Sequence, residues 1–327
     1  MVPSCWCRPL ICICRGHQAT HPTQLCASTV EDPYVSKALA SWTSGVNQTS
    51  SPPLDAFATR QRSWDDPRCR FTSDIVFQQM TSPADKARLL AVTAPGSSAW
   101  LEAMPLAAVG LKLDDASLRV AAGLRLGAPV VFSHDCCCGE SVSSDGRHGL
   151  SCRKSAGRQS RHGQLNDIML RAFQSIGVMT IREPIGLSRS NGKRPDGVTV
   201  VPWRRGRNLA WDVTCADTFA ASHLQGTSVG AGAAANVAET NKIAKYQHLV
   251  DTVEFVPVAV ETMGSWGPRG YELISELGRR TAEIKCEPRS TAFLLQRLSI
   301  AIQCGNASCV LATCPQQPLP QRCNSAL

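Results

Sequence analysis

No stretch of this 327-residue chain is apolar for long enough to cross a membrane. Leu10 to Cys14 is apolar but too short for the core of a secretory leader, and Arg15 and His17 close it. Acidic residues are in the minority, 26 against 34 lysines and arginines, and they are missing where the basic ones gather. Between Arg147 and Arg161 stand Arg147, Arg153, Lys154, Arg158 and Arg161 with no acidic residue among them. From Arg189 to Arg207, Arg189, Lys193, Arg194, Arg204, Arg205 and Arg207 face Asp196 alone. Cations clustered without counter-charges are a footprint for polyanions, nucleic acid first; the alternative is a solvated basic face.

Cysteine is plentiful instead, with sixteen in the chain. Five lie in the first 26 residues, four lie between Cys136 and Cys152, and the rest are scattered. With no visible leader, this placement reads as an intracellular, reduced protein whose clustered thiols hold metal rather than disulfides. Cys136 and Cys138 form a C-x-C pair ahead of Gly139; His148 follows after nine intervening residues and Cys152 after three more. Three sulfurs and one imidazole on two glycine-containing turns satisfy a tetrahedral zinc site. At this level Cys137 and Cys138 are interchangeable, and His134 is an alternative ligand. A cysteine-rich loop without metal is the bland alternative.

Residues 1–53 have little periodicity and read as a poorly ordered leader ending in a Ser-Pro linker. Helical spacing follows over 54–132. Asp55 to Trp64 and Ser73 to Met80 are short candidates. Ser82 and Pro83 open a stronger helix, and Ala99 to Leu106 and Asp115 to Leu124 add two more, the last burying Leu118, Val120, Ala121 and Leu124. This predicts a small helical domain ahead of a knuckle at 133–157. From 158 to 314 the pattern is helix (Gly157 to Gly177), strand (Val178 to Pro184), two strands, helix (Asn236 to Val250), strand (Thr252 to Thr262) and two helices (Pro268 to Lys285, Ser290 to Thr313). That order predicts an α/β (α+β) domain, a mixed sheet flanked by helices. The tail from 315 to 327 reads as disordered.

The two middle strands carry the chemistry. Val198 to Val201 is rich in β-branched residues and follows Asp196; Leu209 to Thr214 contains Asp212; the arginines around Gly206 mark the turn. Paired as a hairpin, the strands bring Asp196 and Asp212 to one end of a sheet. Two carboxylates there repel unless a cation lies between them, which makes a divalent-metal site the sharp reading and a solvent-facing edge hairpin the bland one. On the preceding helix Arg161, His162, Asn166 and Asp167 share a polar side that could face a phosphate backbone. Lys242 and Lys245 share a face of the following helix.

In order, a C-x-C…H-x-x-x-C knuckle, Arg161-His162, Arg194-Pro195-Asp196, a strand-borne Asp212 and a helical Lys245-Tyr246 are similar to the C-terminal region of R2-like non-LTR retrotransposon proteins. The resemblance spans roughly residues 133 to 260. It implies a restriction-endonuclease-like domain of the PD-(D/E)xK class: a phosphodiester hydrolase that nicks DNA, with Asp196 and Asp212 holding Mg²⁺ and Lys245 beside them. The lysine of this class stands two residues after the second acid, where this chain has Thr214, so Lys245, or Lys242 as second candidate, would reach in from the helix. Arg158, Arg161, His162 and Arg194 would bind DNA, with RNA a second possible polyanion, and the implied setting is nuclear. A complete element carries a reverse transcriptase with an aspartate pair on a hairpin turn. Asp65-Asp66 and Asp114-Asp115 lack that setting, so the chain is expected to be the terminal portion without the polymerase. The alternative is a catalytically inert nucleic-acid-binding remnant of such a polyprotein.

Overall fold

The computed structural model describes residues 33–46, 61–188 and 192–315. The cysteines of the first 26 residues, the Ser-Pro linker, the start of the Asp55 helix, Arg189 and the tail beyond 315 lie outside them. The chain forms two compact units, Met1–Thr81 and Ser82–Leu327.

In the first unit, helix α1 (Pro33–Thr43) occupies part of the expected leader. Helix α2 (Gln61–Gln79) joins what the sequence suggested were two short helices, with Pro67 inside it. Trp42 and Trp64 explain why the region is ordered. Their rings meet edge to face at 5.7 Å, and Trp42 Nε1 donates to the Trp64 carbonyl at 2.8 Å. Trp42 thus buries a large apolar body with its polar atom satisfied.

The second unit begins with α3 (Pro83–Thr93), α4 (Ala99–Glu102) and α5 (Asp115–Leu126). Ser82 caps α3 and Asp114 caps α5 through bonds to backbone N–H groups. Helix α4 stops four residues short of the expected end, because Pro105 disfavours helical backbone at Met104. Leu118, expected inside, is 48% exposed. These helices are not a body of their own. Val120, Leu124 and Ala121 pack against Ala307, Val310 and Ile300 of the last helix, so the expected boundary at 132 does not divide the structure.

A two-strand ribbon, β1 (His134–Asp135) with β2 (Ser141–Val142), and the short helix α6 (His148–Ser151) form the cysteine segment. Then come α7 (Gly157–Ser175), β3 (Thr180–Arg182), β4 (Gly197–Thr199), β5 (Leu209–Ala216), α8 (Ala221–Thr227), α9 (Ala233–Lys245), β6 (Glu254–Glu261), α10 (Pro268–Lys285) and α11 (Ser290–Leu311). The four-stranded sheet has the order β3-β4-β5-β6, antiparallel up to β5 and parallel between β5 and β6. The parallel step needs a crossover, which α8 and α9 supply. The architecture is α+β, with a mixed sheet flanked by helices as the sequence pattern indicated.

Alternation along β5 decides the layers. Leu209, Trp211 and Val213 face a core built by Leu165, Met169 and Phe173 of α7, Ile274 and Leu277 of α10, and Leu298 and Ile302 of α11. Ala210 faces the other way, onto Val198, Tyr246 and Leu249. Phe173 stacks on Trp211 with ring centroids 4.7 Å apart. Each such buried side chain contributes roughly 1.5–3 kcal/mol. Gly197 lies directly across from Trp211, and a Cβ there would come 2.1 Å from the indole, so only glycine fits after Asp196. Among the described residues, no helix is long and apolar enough to cross a membrane.

Candidate functional site

Cys136, Cys138, His148 and Cys152 converge, their ligand atoms all within 4.8 Å of one another. Gly139, at φ 93°, turns the chain tightly after the first pair, and its N–H donates to the Cys136 carbonyl at 2.8 Å. Helix α6 presents His148 and, one turn on, Cys152. Cys136 Sγ is 3.7 Å from Cys152 Sγ, and Cys138 Sγ is 3.3 Å from His148 Nε2. A disulfide needs about 2.05 Å. A tetrahedral zinc with bonds of about 2.3 Å to sulfur and 2.05 Å to nitrogen puts its ligands about 3.8 Å (S to S) and 3.6 Å (S to N) apart. The spacing fits a metal ion such as zinc. The backbone N–H of Cys138 is the first cause that draws the Cys136 thiol down to about 6, while burial pushes Cys152 up to about 11. One thiolate is therefore ready, and a bound cation would supply what the second needs. Cys137 is exposed and outside the cluster, which resolves its ambiguity with Cys138. His134 is also outside, bonded to the Phe132 carbonyl and the Thr313 hydroxyl.

At the sheet, Gly197 pairs with Trp211 and Val198 with Ala210; Asp196 stands just before β4 and its N–H donates to the carbonyl of Trp211, the residue before Asp212, at 3.0 Å. The two carboxylates have different company. Asp196 Oδ2 accepts from His162 Nε2 at 3.1 Å, Asn166 Nδ2 at 3.0 Å and the Val213 N–H at 2.7 Å. Burial works against its charge, but those donors outweigh it and hold its pKa below the usual carboxylate value. The bond to Asp196 raises the His162 pKa, against the pull of burial. Asp212, 3% exposed, has Lys242 Nζ on Oδ1 and the Tyr246 hydroxyl at 2.7 Å from Oδ2. Lys245 Nζ lies 3.8 Å from Oδ2 and 2.7 Å from the Tyr246 oxygen. Burial lowers the Lys245 pKa, and Asp212 opposes that. The Tyr246 hydroxyl is also 2.7 Å from the Arg194 carbonyl, and its single proton serves one of the two acceptors at a time.

The expected residues therefore gather at one end of the sheet, with a change of emphasis. Lys242, the second candidate, touches Asp212, while Lys245 stands behind it on Tyr246. Asn166 and Tyr246 complete the site; tyrosine beside a lysine on the α9 face was the visible signal for one, and asparagine four residues after His162 for the other. Thr214 keeps a buried hydroxyl without a partner among the described residues. Arg158 is exposed and donates to the Ser151 carbonyl at 3.3 Å. Arg194 pairs with Glu183. Arg161 is not on a polar surface as its helical position suggested: it is 2% exposed, held by Asn306 of α11. Gly305 makes this possible, since a Cβ there would come 2.5 Å from the Arg161 Cβ.

Two carboxylates, two lysines and a histidine of raised pKa leave this end of the sheet neutral or positive. A divalent cation alone meets the Lys242 and Lys245 ammonium groups as rivals for Asp212. Asp196 Oδ1 accepts from no group among the described residues and offers one free oxygen. No protein-family model matches this chain, and no curated protein matches its sequence.

Proposed function

We propose that residues 133 to 314 act on DNA as a metal-dependent endonuclease-like domain behind a zinc knuckle, of the restriction-endonuclease-like kind and of R2-like retrotransposon origin. The observation that carries this reading is that Asp196 and Asp212 meet at one end of a mixed sheet, Asp196 accepting from the N–H of Val213, the residue after Asp212, and Asp212 paired with Lys242 from the next helix. Asp196 and Asp212 would hold Mg²⁺, whose chemistry when bound is to activate water and stabilise charge on the leaving oxygen. His162 and Asn166 fix the Asp196 carboxylate in its ionised form. Lys242 and Lys245 place positive charge where a phosphorane gathers negative charge. Such a protein works where DNA is, in the nucleus.

The test is nicking of supercoiled plasmid by the zinc-loaded chain. Mg²⁺ should support it, and Asp196→Asn and Asp212→Asn should each abolish it while leaving DNA binding intact. Zinc-loaded protein that binds DNA yet nicks none with Mg²⁺ or Mn²⁺ sinks the enzymatic reading. One observation favours a second reading, binding without hydrolysis: Lys242 and Tyr246 already engage both oxygens of Asp212, and Thr214 stands where the class has lysine. Binding would then fall steeply with salt, survive both aspartate changes and be lost with Cys152→Ser.

A further inference from the structure

Arg161 carries a charge that the fold does not balance. Its Nη1 donates to Asn306 Oδ1 at 2.6 Å and its Nη2 to the Leu150 carbonyl at 3.5 Å. Its Nε has no partner, and no carboxylate forms an ion pair with it, among the described residues. Arginine stays charged at any pH a fold survives, and burying it without an anion is costly. The position is nonetheless built for it, by the gap at Gly305 and the anchor at Asn306.

Arg161 lines an open cleft of about 460 Å³, whose other polar walls include Arg153, Ser155, Arg158, Thr214 and Lys242. No acidic side chain lines it. Five buried side-chain atoms lack a hydrogen-bond partner among the described residues, and three of them (Ser155 Oγ, Arg161 Nε and Thr214 Oγ1) belong to residues around this one cleft. Buried polar atoms in folded proteins are nearly always satisfied, so three together point to a ligand that completes them. Helix α7 also starts here without a side-chain cap, adding the positive pole of its dipole.

We infer that this cleft is a phosphate subsite. Guanidinium groups and hydroxyls around one concavity match the several acceptor oxygens of a tetrahedral phosphate. The occupant is a backbone phosphodiester of a nucleic-acid strand, reached through Arg153 and Arg158 at the exposed rim and running past Lys242 to the acidic pair. That a phosphate binds here stands on the cleft itself; that a nucleic-acid strand carries it rests on the proposed function.

The full zinc-loaded chain, without Mg²⁺, is titrated with a fluorescein-labelled oligonucleotide duplex over a series of salt concentrations. The Arg153→Gln/Arg158→Gln double variant changes only exposed side chains, and Thr214→Val keeps volume while removing a hydroxyl; thermal melting checks that both fold. The double variant should bind at least ~10-fold more weakly at low salt, with a log–log salt slope shallower by about one to two. In parallel, inorganic phosphate should raise the melting temperature of the wild-type chain and not that of the double variant. Phosphate stabilisation through these arginines with unchanged DNA binding overturns the nucleic-acid occupant in favour of a free phosphate. Unchanged affinity, unchanged slope and no phosphate effect overturn the subsite altogether. Failure to nick DNA leaves these readouts untouched and bears only on the nuclease.

Discussion

Lys242 forms an ion pair with Oδ1 of Asp212, a carboxylate that is almost wholly buried. Lys245, one turn further along α9, reaches only to 3.8 Å of the other oxygen. Removing one member of a buried pair strands the other, at a cost of about 3–5 kcal/mol; a looser contact is worth under about 1 kcal/mol. Lys242→Ala should therefore lower stability in urea unfolding by about 3 kcal/mol, and Lys245→Ala by much less. On the nuclease reading, Lys242→Ala should also slow single-turnover nicking by ~10²–10⁴-fold. A larger effect from Lys245→Ala on both measurements contradicts this ranking.

Tyr246→Phe removes one hydroxyl and no packing. Among the described residues Asp212 Oδ2 then keeps only the distant Lys245, and the Arg194 carbonyl loses a donor. Leaving a buried acceptor unmet costs about 1–3 kcal/mol. Thermal melting of Tyr246→Phe should show a loss of that size, and a neutral variant would mean that water replaces the hydroxyl.

The His162–Asp196 bond makes stability depend on pH in a defined direction. Its folded-state His162 pKa is raised, so its contribution is complete below the unfolded value of about 6.5 and is lost as pH rises through the higher folded value. The depressed Asp196 pKa acts lower, its contribution failing as pH falls through the folded value. Between pH 5.5 and 8.5 only the histidine step intervenes in this pair. The stability gap between wild type and His162→Gln should be larger at pH 5.5 than at pH 8.5. A gap that is flat or grows with pH excludes a charged pair.

Elemental analysis should find one zinc per chain, retained in Cys137→Ser and lost in Cys138→Ser and Cys152→Ser. Chelation should lower the melting temperature, because Leu150 between two ligands packs on Val310 and Leu124. Metal retained by Cys138→Ser would reassign the ligand set.

Gly197→Ala puts a methyl group into the Trp211 indole. Overpacking of this kind costs about 1–3 kcal/mol, and the strand carrying Asp196 must shift to relieve it. Loss of stability and loss of nicking should appear together, whereas full stability would show that β4 moves freely.

Much of this site was legible because its signals are local. Turn-flanked thiols announced the knuckle, and β-branched runs around Arg204 to Arg207 announced the hairpin with its acids. What stayed hidden depends on distant packing. Lys242 and Lys245 share a helix face, and only the seating of α9 on β5 selects between them. Arg161 follows the polar periodicity of α7, and nothing near it in sequence tells that Gly305 and Asn306 enclose it 144 and 145 residues later. Leu118 has helical spacing, but among the described residues nothing covers its side of α5 enough to bury it. Helix α1 was missed because its order rests on a tryptophan, Trp64, that lies 22 residues beyond Trp42.

Helix α11 threads the knuckle, the early helices and the sheet core together: Val310 shares one apolar cluster with Leu150, Ile300 another with Trp100, and Ile302 joins the core of Leu209, Trp211 and Val213 of β5. During synthesis the ribosome delivers that helix after everything it joins. The metal ligands and both acids therefore emerge well before the keystone that locks them, and a nascent chain halted before Ser290 should remain open to proteases and reliant on chaperones.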